Sequence, residues 1–212
     1  MLLVSGGTTT IRPYIAARPD IFGTLAVPAD GNALPEYGRW AADNGAFSKF
    51  DEPAFLGMLT RHRWARERCL FVVAPDVVGS HADTFALFRA WGQRLMDMGW
   101  PVAFVAQDGC DGESVPWEGI SCVFIGGSTA YKLGAAAAHV AVMARAQGKW
   151  LHMGRVNTAR RLHYAAVLGC DSVDGSGWSR FPKSMLERHG DLLRSLSTQR
   201  QLILGAFDTE PA

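Results

Sequence analysis

Short apolar runs bounded by Gly, Pro or Asp recur eight times along the chain, several of them ending on a polar residue or a glycine, and longer amphipathic stretches separate most of them. Runs too short for helices, repeated with a helical period between them, read as β/α units on a parallel sheet. The runs are Leu2–Ser5, Thr24–Val27, Gly38–Asp43, Leu70–Asp76, Val102–Gln107, Cys122–Gly126, Trp150–Met153 and Ser172–Asp174. Eight strands close a compact (β/α)8 barrel of the TIM type, and 212 residues leave room for short loops only. An open doubly wound sheet is the alternative α/β architecture. The helical period is plainest over His81–Met98, Ala130–Gln147, Thr158–Leu168 and Lys183–Ser195, with Ser80 and Asn157 placed to cap the first and third. Ser5–Glu36 carries too many Gly and Pro residues for a regular unit, and Asp108–Gly119 reads as a crossing without a helix. Two units are therefore expected to be abbreviated, within one domain over residues 1–212.

Chemistry collects where the runs end. Asp43, Asp76, Gln107, Gly126 with Gly127, Met153 with Gly154, and Asp174 each end or follow one run. In a parallel barrel these ends share one face, the face on which active sites of the fold sit. A single Asp there can be a helix cap or a turn residue. Three of them with a glutamine are more than capping requires. No histidine pair, serine elbow or glycine-rich phosphate loop stands out. Carboxylates without an evident metal cluster suit glycosyl transfer, in which one attacks an anomeric carbon and another carries a proton.

Lys and Arg number 21 against 20 for Asp and Glu, so any contact with a polyanion must come from a local patch. One exists late in the chain: basic residues outnumber acidic ones ten to four between Arg145 and Arg200. Arg155, Arg180 and Lys183 follow rim runs there and are candidates for phosphate contacts. Cys69, Cys110, Cys122 and Cys170 have no C-x-x-C spacing, so they read as buried thiols in a reducing cytoplasm, with no metal site and no cofactor expected. The N-terminus lacks the basic flank and apolar length of a signal peptide, and no window spans a bilayer; a soluble, cytoplasmic protein without a membrane partner is expected.

Six of these segments, in order, resemble motifs of the tRNA-guanine transglycosylase superfamily. Asp43-Asn44-Gly45-Ala46-Phe47 is similar to its Asp-Ser-Gly-Gly-aromatic motif, and Asp76 falls where the family has a second base-reading Asp. Phe104–Gly109 resembles the Gly-Ile-Val-Gln-Gly strand, Ile125–Ser128 resembles Leu-Ala-Val-Gly, and His152–Val156 resembles Leu-Met-Gly-Val-Gly. Gly169–Asp174 resembles Gly-Val-Asp-Met-Phe-Asp, whose last Asp is the nucleophile. The family's zinc cluster of three Cys and a His has no counterpart, since no Cys follows Cys170, and neither does the segment that grips the tRNA stem. In this the chain is most similar to the small zinc-free 7-deazaguanine DNA transglycosylases of phages and bacteria.

The resemblance implies a reaction. Asp174 would attack C1′ of an extruded guanosine-type nucleotide and hold the sugar covalently, and Asp43 would protonate the departing base and deprotonate the incoming one. Asp76, Gln107 and the backbone at Gly126, Gly127 and Gly154 would select a guanine-like edge, with Phe47 and Met153 sandwiching the ring. The implied partners are a nucleic acid, DNA in preference to tRNA, and a free 7-deazaguanine base. A glycosidase that uses water in place of the second base, a tRNA-specific enzyme and a non-catalytic base-binding subunit are the competing readings.

Overall fold

The computed structural model describes residues 2–5, 11–31 and 33–192. In chain order the strands are β1 (Leu2–Ser5), β2 (Phe22–Ala26), β3 (Trp40–Ala42), β4 (Cys69–Val73), β5 (Val102–Ala106), β6 (Cys122–Ile125), β7 (Trp150–Met153) and β8 (Ser172–Asp174). β2 to β8 form an unbroken parallel sheet in sequence order, and β1 pairs with both of its edges. The sheet therefore curls into a barrel of the TIM type, and the open doubly wound arrangement is excluded. Several strands stop short of the expected runs. β3 ends before Asp43 and β4 before Asp76; beyond the ladder the Asp43 side chain accepts from Gly45 N–H and that of Asp76 from the Asn44 amide.

Alternation along the strands sorts the apolar residues into two layers. Leu25, Ala41, Phe71, Val73, Ala103, Val105 and Cys122 fill the barrel, with Phe124 against them. His152 shares that interior, its ring 5.1 Å from Phe71 and 4.5 Å from Phe124 between centroids. The intervening residues, among them Val72, Phe104, Val123, Leu151, Met153 and Val173, face outward and meet the helices. Burying each large side chain of this kind stabilises the fold by about 1.5–3 kcal/mol.

The helices are α1 (Arg12–Ala17), α2 (Glu52–Arg61), α3 (His81–Asp97), α4 (Thr129–Lys132), α5 (Ala135–Ala146), α6 (Ala159–Val167) and α7 (Ser176–Arg180), followed by a helix over 182–192. The expected end of that last helix, Ser195, lies outside the described residues, as do Arg194 and Arg200. Ser80 caps α3 as expected, accepting from Asp83 N–H at 3.3 Å. α6 is capped by Thr158, not Asn157, whose side-chain oxygen instead accepts from Gly177 N–H at 3.0 Å. The stretch read as one helix over Ala130–Gln147 is two, broken at Gly134, which serves as the N-cap of α5. Inside Ser5–Glu36 the chain does form α1, with Pro13 in its first turn where no N–H is needed. Asp108–Gly119 holds only a single 3-10 turn, Gly112–Ser114, capped by Asp111. Among the described residues no helix is long and apolar enough to cross a membrane.

Candidate functional site

Period-two alternation that points Ala41 and Val105 into the barrel also points Asp43 and Gln107 inward at its C-terminal mouth. Ser172 and Asp174 on β8 share the inward side with His152, to which both are bonded. Asp43, Asp76, Gln107 and Asp174 are thereby brought to one rim. Asp43 is half-buried, and its Oδ1 accepts from Gly45 N–H at 2.8 Å. Burial above all pushes its carboxyl up to about 6, and the charges of Asp174 and Asp76 push the same way.

Asp76 is held from two sides. Asn44 Nδ2 donates to Oδ1 at 2.7 Å, and Gln107 Nε2 donates to Oδ2 at 2.5 Å. The other end of the Gln107 amide accepts from Gly79 N–H at 2.9 Å. Gln107 therefore clamps Asp76 in place. Asn44, which the motif reading passed over, is fully buried and also donates to Ala74 O. Burial raises the Asp76 carboxyl, against the lowering effect of both amides.

Asp174 ends β8 with its side chain 14% exposed. Oδ1 accepts from Arg155 N–H and Oδ2 from His152 Nε2, each at 3.0 Å. Behind them a chain of hydrogen bonds runs along the barrel interior. Trp150 Nε1 can only donate, and it donates to Ser172 Oγ at 2.8 Å. His152 Nδ1 lies 2.8 Å from the same hydroxyl, and the tautomer in which the serine donates to it carries the ring proton on Nε2, aimed at Asp174. The sequence showed this histidine as one letter in an apolar run. Its position two residues after Trp150 and opposite Ser172 in the β7–β8 register was the available signal.

Several other expected site residues sit differently. Met153 is buried in the outer layer against the helices, since its neighbour His152 faces in, so it does not form one side of a base sandwich at the mouth. Phe47 is 72% exposed, and the Arg155 guanidinium lies 5.2 Å from its ring centroid. Gly127 O accepts from that guanidinium at 2.5 Å, and Gly126 N–H donates to Ala106 O, so these groups are engaged within the protein. Gly154 O likewise accepts from Lys132 Nζ at 3.0 Å. The glycines have a packing reason. A Cβ on Gly126 would stand 2.8 Å from Val105 Cγ1 and 3.0 Å from Gln107 Nε2, and one on Gly154 would stand 2.7 Å from the Phe124 ring. Gly126→Ala should therefore cost about 1–3 kcal/mol, measured by denaturant unfolding, because it overpacks the barrel and loosens the clamp on Asp76.

Among the described residues Arg155 alone, apart from glycines, has a positive φ, 61°. Such a conformation costs roughly 1–2 kcal/mol and needs its surroundings to hold it. The bonds from its N–H to Asp174 and from its guanidinium to Gly127 do so. Arg180 and Lys183 are exposed on α7 and on the helix after it. No group of three His, Cys, Asp or Glu side chains among the described residues is placed to hold a metal ion.

No protein-family model matches the chain, and no curated protein does. Twelve chains of solved structures match. The PaMucR phosphodiesterase in its complex with c-di-GMP is similar at 13% identity and a TM-score of 0.41. The match covers 78% of this chain and 64% of that one, so this chain spans slightly under two thirds of that protein. A likeness that distant says nothing of function.

Proposed function

We propose that the chain is a base-exchange transglycosylase that replaces guanine in a nucleic acid, DNA in preference to tRNA, by a 7-deazaguanine. One observation carries the reading: Asp43 and Asp174 share the mouth, yet Asp43 is driven toward its neutral form while both oxygens of Asp174 accept N–H donors that suit a carboxylate. That is the division of labour glycosyl transfer needs, one carboxyl carrying a proton and the other attacking as an anion. Asp174 attacks C1′, the glycosidic bond breaks, and its electron pair leaves with the base, which takes the Asp43 proton. The sugar is now an ester of Asp174. An incoming base gives a proton to Asp43 and attacks C1′, and the ester bond breaks to restore the Asp174 carboxylate. Two displacements retain the configuration of the sugar.

Asp76 supports the choice of base. Asn44 and Gln107 fix both of its oxygens, which keep lone pairs for further donors, and a guanine edge offers N–H groups where adenine offers an acceptor. Phe47 supplies an exposed ring at the same mouth. The test is to incubate the protein with DNA and tRNA carrying labelled guanine and to follow label release on adding 7-deazaguanines. Release that depends on the added base supports exchange. Release without it, leaving an abasic sugar, makes the protein a glycosidase, and modification of tRNA alone overturns the preference for DNA.

His152 acts on this reaction through Asp174. His152→Leu should slow exchange by about 10- to 100-fold, the worth of one hydrogen bond to a charged group. Single-turnover rates with the DNA substrate measure it.

A further inference from the structure

Lys132, Arg155 and Arg161 stand beside Asp174, and none of them pairs with a carboxylate among the described residues. Lys132 is only 4% exposed, with its ammonium on Gly154 O. The Arg155 guanidinium rests on Gly127 O, and Arg161 donates to Arg155 O at 3.3 Å and to Thr129 Oγ1 at 3.0 Å. Every one of these acceptors is a neutral oxygen. Residues 127, 154 and 155 follow β6 and β7, so the three cationic heads gather on one arc of the rim. The acidic groups within reach are occupied. Asp108 accepts from the Ser128 N–H and hydroxyl, and Asp174 accepts from Arg155 N–H and His152. Burial first, and then the charge of Arg155, pushes the Lys132 ammonium down to about 8, against the raising effect of the Asp174 and Asp108 charges. A buried lysine bonded only to a carbonyl oxygen and crowded by two arginines, with Asp174 and Asp108 near but not in contact, gains from an anion that arrives within bonding distance. Guanidinium forks and an ammonium together match the oxygens of phosphate.

We propose that Lys132, Arg155 and Arg161 bind a phosphate of the substrate, monoester or diester, adjacent to the sugar held at Asp174. This rests on the reading of the mouth as a guanine-nucleotide site. The substrate is then taken as a nucleotide, free or within a polymer, and not as a nucleoside. Arg180 and Lys183 lie outside this site.

Calorimetric titration of the full chain with deoxyguanosine, 5′-dGMP, 3′-dGMP and the two corresponding thymidylates tests it, in the wild type and in Lys132→Met and Arg161→Gln. Arg161 is half-exposed, so its variant reports even where the buried Lys132 variant does not fold. One guanylate should bind at least about tenfold more tightly than deoxyguanosine, as charged hydrogen bonds to phosphate require, and Arg161→Gln should remove most of that margin. Equal affinity for the nucleoside and both guanylates in the wild type overturns the phosphate site and leaves the base reading standing. A phosphate-dependent margin that falls in the variants but is as large for thymidylate as for guanylate upholds the site and overturns the guanine reading.

Discussion

Asp174→Asn should abolish exchange while the protein keeps its fold. An amide is no nucleophile toward C1′, so the covalent route closes and the rate should fall by at least about 10⁴-fold, near 5 kcal/mol of barrier. The fold survives because the side chain sits at the rim, and an Asn oxygen can still accept from Arg155 N–H or His152 Nε2. Single-turnover exchange beside thermal unfolding of the same preparation measures both. Turnover within tenfold of wild type would remove Asp174 from the chemistry.

Asp43→Asn should change rate and stability in opposite directions. Loss of the proton carrier should slow base release by about 10²–10⁴-fold, the usual worth of general acid–base catalysis. Stability depends on the raised carboxyl. Below pH 3.8 the group is protonated whether the chain is folded or unfolded, and its neutral form suits the buried site. Between pH 3.8 and about 6 the unfolded chain gives up this proton before the folded one, so wild-type stability falls across that window and the loss is complete above it. Asparagine has no such transition. The melting temperature of Asp43→Asn relative to wild type should therefore climb from pH 4 to 6 and then level off. A difference that stays constant with pH would mean that Asp43 ionises normally. In the wild type the rate of base release should fall about tenfold per unit above pH 6, as the acid form is lost.

The barrel was legible because eight apolar runs with a helical period between them permit few architectures, and their polar ends marked the mouth. Asp43, Asp76 and Asp174 could be read from those ends. What escaped was which way each neighbour faces. The motif around Met153 placed it at the mouth, yet alternation from Trp150 puts His152 inside and Met153 outside. Lys132 lies inside the stretch read as one helix over Ala130–Gln147, and only the break at Gly134 sets it apart at the end of the short α4. The clamp of Asn44 and Gln107 on Asp76 joins residues 32 and 31 positions apart in the chain, which no local pattern discloses. α2 was overlooked although its signals stood in the sequence: Asp51 as a cap, Pro53 in the first turn, and Phe55, Met58 and Leu59 on one face.

The central claim is a sugar bound covalently to Asp174, and a denaturing gel of the protein mixed with guanine-containing DNA tests it most directly. A retarded band should appear with the wild type, map to the peptide that contains Asp174, dissolve when free 7-deazaguanine is added, and be missing with Asp174→Asn. Guanine lost from the DNA with no such band, or a band that persists in Asp174→Asn, would contradict the account.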